Sequence, residues 1–298
     1  MLEAAVVVVR LLQYLGATVL FGSSLFFVYA LPPAGSGSAA ETPWARGTLL
    51  AAAALLALSS LLAIAAQASL FAGSFAEGLA GGAIRDVVTY MDLGKAAVVR
   101  AGVAAMALLA LAAISPGRSS WLVAASLGAI AAASLAWLGH GAATEGPLHE
   151  VHLAADAVHI LAACGWLGAL AMFVPLALGG TPRTALLTAL RRFSAIGTVL
   201  VALLVLSGVV NAWILVGPGN LGALAGTPYG RVLLAKLGLF AAMLALAATN
   251  RFRLTPALAE GASLSAIRRN LAAEAGAGLA VLVLVAWLGT LAPPALAA

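Results

Sequence analysis

Sulfur and charge are scarce in this 298-residue chain: one cysteine, five methionines, and Asp, Glu, Lys and Arg together at only 8% of residues. A lone Cys164 excludes an internal disulfide framework and any metal site built from several thiolates. It reads as a small apolar residue packed inside a helix. The methionines are scattered and form no Met-x-x-Met series. No Walker motif, nucleophile elbow or His-Glu-x-x-His pair occurs, so an ATP-driven pump is not expected, nor is an enzyme. Soluble domains carry about 25% charged residues, which argues against a freely soluble chain.

Apolar length is what the chain has in abundance. Hydrophobic residues make up 63% of it, and mean hydropathy is +1.10. Mostly apolar runs recur at about 5–30, 46–72, 95–114, 120–140, 150–178, 191–216, 230–250 and 269–292. Each is long enough to cross a hydrocarbon core of about 30 Å. The expected fold is therefore all-α: a polytopic integral membrane protein of eight transmembrane helices, one membrane domain over 1–298 with no soluble domain. The first run reads as a helix rather than a cleaved signal, because Glu3 precedes it, Arg10 and Gln13 interrupt it, and no clear cleavage site follows.

The basic residues set the orientation. Arg46, Arg118, Arg183, Arg191, Arg192, Arg251, Arg253, Arg268 and Arg269 all belong to the connections after helices one, three, five and seven. The opposite connections are a stretch of mixed sign (Glu77, Arg85, Asp86, Asp92, Lys95), one with histidines and acids, and a neutral Gly/Pro segment near 217–228. By the positive-inside rule the arginine-rich side is cytoplasmic, which places both termini and the histidine loop outside. The net charge of +5 then reflects orientation signals rather than a nucleic-acid surface.

The chain also repeats itself. Ala136-Trp137-Leu138-Gly139-His140 returns as Ala286-Trp287-Leu288-Gly289-Thr290, and Gly94-Lys95-x4-Arg100-x-Gly102 returns as Gly230-Arg231-x4-Lys236-x-Gly238. Helix one matches helix five more faintly, through Gly22/Gly168 and Phe27-Val28/Phe173-Val174. These matches run in order and predict a four-plus-four parallel repeat, with halves 1–140 and 147–298. Under this alignment His140 becomes Thr290, His159 matches Gln13, and Asp156 matches Arg10. Arg10 and Asp156 at equivalent depth are a candidate ion pair.

All four histidines lie between positions 140 and 159. His149, His152, Asp156 and His159 fall within an arc of about 80° on one helix face. Gly146-Pro147 is a good helix start, with proline at the first helical position. A helix over 147–178 is about 48 Å long, so His149 and His152 are expected outside the core, Asp156 near the interface and His159 about 15 Å below His149. One ion cannot touch all four, but neighbours three or four apart can hold an ion in sequence. His140, ending the preceding antiparallel helix, is expected to face the top of the stripe. Imidazole with a carboxylate suits copper, zinc, iron or nickel. An ionisable group inside the bilayer is a functional candidate by default, which singles out His159. Asn211 and Gln67 are expected to bridge helices through their amides, with Asn211 also a candidate on a path. Arg100 and Lys236 lie one and a half turns inside helices three and seven and are expected to snorkel outward.

The segment His152-Leu-Ala-Ala-Asp156-Ala-Val-His159-Ile-Leu-Ala-Ala-Cys-Gly-Trp166-Leu-Gly168 resembles the hallmark of the bacterial copper resistance protein D (CopD/PcoD) family. Ser207-Gly208-Val-Val-Asn211-Ala-Trp213, Thr227-Pro228-Tyr229-Gly230-Arg231-x4-Lys236 and Asn250-Arg251-Phe252 are similar to its later segments. The likeness is strong over about 140–256 and weak over the first four helices. It implies an eight-helix bacterial inner-membrane protein that moves copper ions, generally inward, with a separate periplasmic copper-binding partner of the CopC type. By this motif His152, Asp156, His159 and Trp166 are carried over, with His140 and His149 adjoining them. The alternative from a different class is a haem-binding electron carrier, in which His140 and His159 on neighbouring helices ligate one iron.

Overall fold

The computed structural model describes residues 2–30, 43–139, 141–142, 144 and 146–296. Among these residues there is no strand. Eight helices are long and apolar enough to cross a membrane: α1 Leu2–Ala30, α2 Trp44–Ala72, α3 Asp92–Ala113, α4 Arg118–Leu138, α5 His149–Leu178, α6 Arg183–Leu215, α7 Pro228–Ala259 and α8 Ser265–Leu288. They fall where the apolar runs predict them, within a few residues except at the start of α6 and the end of α7. The mixed-sign connection between α2 and α3 is more ordered than its composition suggests. It forms two short helices, Phe75–Gly78 and Gly81–Tyr90, and Val87 packs there on Ile64, Ala68 and Ala97.

α5 is the axis of the molecule. Of its most apolar window 61% is buried inside the protein, against 11% for α6 and for α7, whose outer faces are left to lipid. Apolar side chains gain little by leaving lipid for protein, so helix association in a bilayer depends on close packing and on hydrogen bonds. The α1–α5 crossing supplies both. α1 is underwound into a wider, π-helical stretch at Thr18–Ser23, and there its backbone lies directly on α5. A Cβ added to Gly22 would fall 1.9 Å from the Cys164 carbonyl oxygen, and one on Gly168 would fall 2.5 Å from Gly22 Cα. Ser23 Oγ donates to the Gly168 carbonyl at 3.0 Å. Cys164 is buried in this contact, 3.5 Å from Thr18 Oγ1. Toward the arginine-bearing end an aromatic cluster continues the crossing, with Phe26 edge-on to Phe173 at 4.8 Å and Phe173 edge-on to Phe193 at 5.3 Å.

The arginines at that end also complete the backbone. The last carbonyls of a helix have no partner within it, and here arginines from neighbouring segments supply one. Arg46 donates to Leu111 O and Ala112 O at the end of α3. Arg192 donates to Tyr29 O at the end of α1, and Arg268 to Ala177 O at the end of α5. A cation at a helix C-terminus is favoured by the helix dipole as well.

At the crossing a side chain has nowhere to go but into backbone. Gly168→Val should therefore lower the thermal midpoint of the detergent-solubilised protein, at a cost of about 3 kcal/mol or more. Gly102→Ala meets nothing within 4 Å and should leave the midpoint unchanged or slightly raised. Equal behaviour of the two variants in a fluorescence melt would contradict this account of the core.

Candidate metal site

The stripe on α5 begins at a sharp turn. Gly146 takes φ +81°, a conformation glycine reaches without a Cβ penalty. The first helical residue is His149, not Pro147; proline instead lies in the turn that leads in. Thr144 holds the first two histidines from that turn. Its carbonyl oxygen is 2.8 Å from His149 Nδ1, and its hydroxyl is 2.6 Å from His152 Nδ1. A carbonyl only accepts, so Nδ1 of His149 carries the hydrogen, and in the neutral ring the lone pair is on Nε2. His152 is buried, whereas His149 is half-buried at the mouth.

One turn deeper, Asp156 Oδ1 accepts from Asn211 Nδ2 of α6 at 3.3 Å. Its other face meets the backbone around the end of α4: a Cβ on Gly139 would lie 3.1 Å from Oδ2, and one on Gly141 3.3 Å. His140, between those glycines, lies outside the described residues. His159 Nδ1 is 3.0 Å from Ser207 Oγ, and its ring rests 3.5 Å from where a Gly208 Cβ would be. Ser207 gives its own hydrogen back to Leu203 O at 2.5 Å. It can then only accept from His159, so Nδ1 of that ring carries the hydrogen and, in the neutral ring, Nε2 the lone pair. Trp166, two turns further down the same face, is buried and donates from Nε1 to Glu274 Oε1 at 3.1 Å.

The structure thus brings His149 and His152 together on Thr144, and Asp156 and His159 together on α6. It does not bring the set to one point. Among the described residues no group of three or more His, Cys, Asp or Glu side chains is close enough to hold one ion, as the helical rise predicts. Thr144, Ser207 and Lys236 are the residues that spacing did not single out as parts of this site. Lys236 of α7 makes no ion pair among the described residues, yet its charge acts on both Asp156 and His159. A threonine in a loop or a serine in a helix carries no signal of such a role until its neighbour is known.

Two expectations fail here, for one reason. Arg10 does not pair with Asp156; it donates to Leu138 O at 3.0 Å. Arg100 does not snorkel outward but is fully buried, donating to Gln13 Oε1, to Ser134 Oγ at 3.0 Å and to Ser134 O at 2.7 Å. The 3₁₀ end of α4, Ser134–Leu138, turns its carbonyls inward and gives both guanidinium groups acceptors inside the protein. Asn211 does bridge two helices, as expected of a buried amide. Gln67 lines a small cavity with Arg10 and Gln13.

Comparison with known proteins now adds two family models and two relatives. The model described as Copper resistance protein D matches residues 187–288, and that described as Copper resistance protein D-like, N-terminal domain, matches residues 1–150. Copper resistance protein D of Pseudomonas syringae pv. tomato is 37% identical over 96% of both chains. Inner membrane protein YebZ of Escherichia coli K12 is 32% identical over 53% of this chain and 55% of its own. No solved structure matches.

The tautomer assigned to His159 is measurable without any metal. In ¹⁵N spectra of the apo protein at mildly alkaline pH, its ring should be protonated at Nδ1 and bare at Nε2. Ser207→Ala should abolish that preference. An Nε2-protonated ring in the unmodified protein would contradict the hydrogen-bond assignment.

Proposed function

Because the chain belongs to the copper resistance protein D family, we propose that it carries copper ions across the bacterial inner membrane, from the periplasm inward, along the α5 stripe. The observation that carries this reading is the pairing of His149 and His159 with fixed acceptors at Nδ1, which leaves the lone pair of each neutral ring on Nε2. Ligating histidines are held in this way by outer partners in metal sites generally. The residues stand about one to two turns apart along a single face, so the ion is handed on: capture by His140 and His149, transfer by His152 and Asp156, entry at His159. Asn211 and Trp166 line the continuation of that route. Lys236 balances the charge of Asp156 when no ion is present, and an arriving cation takes over that role.

Read as a duplication of four helices, the chain has two halves of unlike function. With Gln13 matched to His159 and Arg100 to Lys236, the basic residue of each half acts on the matching position of helix one or five. Gly22 and Gly168, matched likewise, touch each other, which fits a pseudo-axis passing near them. In the first half the node is closed by Ser134; in the second it holds a histidine and an acid. Orientation follows from the arginines, which gather at one end of the bundle and put that end in the cytoplasm. Both termini and the mouth with His149 are then periplasmic, open to a CopC-type copper-binding protein. Haem ligation is disfavoured because the four histidines crowd one edge of the membrane between positions 140 and 159 and form no pairs stacked across the bilayer.

Two measurements test this. Asp156→Asn and His159→Ala should each reduce copper accumulation in cells at least tenfold with protein levels unchanged, while His149→Ala should slow uptake only when copper is scarce. Wild-type accumulation by both deep variants, measured by elemental analysis, would remove the stripe from the path. For orientation, a cysteine at Glu150 should react with an impermeant thiol reagent in spheroplasts and one at Thr184 should not. The reverse labelling would refute inward transport.

A further inference from the structure

A second carboxylate is buried in the membrane-spanning part of the chain, and the copper route as described does not use it. Glu274 of α8 is 1% exposed. Its Oε1 accepts from Trp166 Nε1 at 3.1 Å and its Oε2 from Asn250 Nδ2 at 3.0 Å. Asn250 is buried too, its Oδ1 has no partner, and it opens the π-helical turn Asn250–Leu254 of α7. Such turns recur at functional sites because they displace a side chain from its regular position. Trp166, Asn250 and Glu274 line a cavity of about 270 Å³ between α5, α6, α7 and α8.

The charge on Glu274 is not compensated by any ion pair among the described residues. On α7, Arg251 lines the same cavity but donates to Ser194 O and to Thr198 Oγ1 at 2.6 Å, and lies over the Phe252 ring; Arg253 is exposed and Lys236 is three to four turns back along the helix. On α6, Arg191 and Arg192 are exposed. On α8 itself Arg268 is taken up by Ala177 O, and Arg269 lies beside it near the helix start. On α1, Arg10 meets α8 at Gly289, the opposite end. On α5, Asp156 and His159 stand above Trp166, His159 by about 10 Å of helix rise. A carboxylate so isolated in a bilayer takes up a cation. The donor set decides which one. Two of the three side-chain oxygens already accept hydrogen bonds, and an indole N–H points at the same carboxylate. That leaves Asn250 Oδ1 as the one oxygen of the set without a hydrogen bond, fewer free donors than even a two-residue station on the α5 stripe offers a metal ion. It suits one proton: the Asn250 amide offers its nitrogen to a carboxylate or, turned over, its oxygen to a carboxylic acid O–H.

We infer that Glu274, with Asn250 and Trp166, is a proton-binding site of the transport cycle, placed below the copper stripe and linked to it through Trp166. This rests on the proposed copper route for its link to transport, but not for the site itself. Proton binding adds one H⁺ to Glu274 Oε2, and release returns it to the cavity. His159 lies about 10 Å of helix rise above Trp166, the residue bonded to Glu274; two cations on the order of 10 Å apart at an effective dielectric near 20 weaken each other's binding on the order of tenfold, so copper at His159 weakens proton binding at Glu274.

Infrared difference spectra of the full-length protein in lipid, titrated with pH, test this. A carboxylic acid C=O band should appear on acidification. Glu274→Gln should remove it, and Glu274→Asp should keep it at a displaced frequency. Saturating cuprous or cupric ions, titrated separately, should move its midpoint down by about one pH unit. A band untouched by Glu274→Gln, or a midpoint indifferent to copper, would overturn the inference. So would the loss of one bound copper per chain in Glu274→Gln, which would make this a metal site instead. If the band behaves as expected while vesicles take up no copper, the proton site stands and the transport reading fails.

Discussion

Inside a bilayer there is no water to take up a hydrogen bond, so a helix carries polar groups through it only where other parts of the protein answer them. α5 is the helix on which this constraint falls hardest. On one face it offers backbone carbonyls to α1, and Ser23 reaches Gly168 O. Roughly 130° around the helix it carries His149, His152, Asp156, His159 and Trp166. The first face makes the second possible. Because Gly22 and Gly168 let two backbones meet, α5 is fixed in depth and rotation, and its polar face is held against Thr144, Ser207, Asn211 and Glu274.

The same constraint separates the first four helices from the last four. In the first half Arg100 is saturated by Gln13 and Ser134, and α1 to α4 enclose it. Nothing there invites an ion. In the second half α6 and α7 meet mainly near the arginine end, where Arg251 reaches Ser194 and Thr198. Lys236 stands near Asp156 without bonding to it. A closed polar node is a structural one. A node held by single hydrogen bonds, beside a loosely joined pair of helices, is one that can exchange partners.

In the reading proposed above, the outer stations use imidazole and the inner one a carboxylate. That division follows from chemistry. Imidazole nitrogen competes well for copper, whereas one carboxylate flanked by N–H donors holds a proton better than a metal. The arginines have a double part in it: they fix which end faces the cytoplasm, and they close the carbonyl ends of α1, α3 and α5. Removing one therefore disturbs a helix end as well as a charge balance.

Eight apolar runs, the grouping of arginines after odd-numbered helices, and the 3–4–3 spacing of His149, His152, Asp156 and His159 were legible from the chain alone. Each is a local property: helix length against bilayer thickness, charge in a loop, and periodicity along one helix. The resemblance to a copper resistance family was legible for the same reason, since its motif lies within consecutive turns of α5. What no local pattern could give is which group answers which across a helix interface. Arg10 reaches Leu138 O rather than Asp156, Arg100 turns inward, Thr144 and Ser207 set the two ring orientations, and Trp166 is tied to Glu274, 108 residues away. These partners depend on the rotation of each helix about its own axis. That rotation is set by the packing of small residues such as Gly22 and Gly168, and so only the tertiary structure decides it.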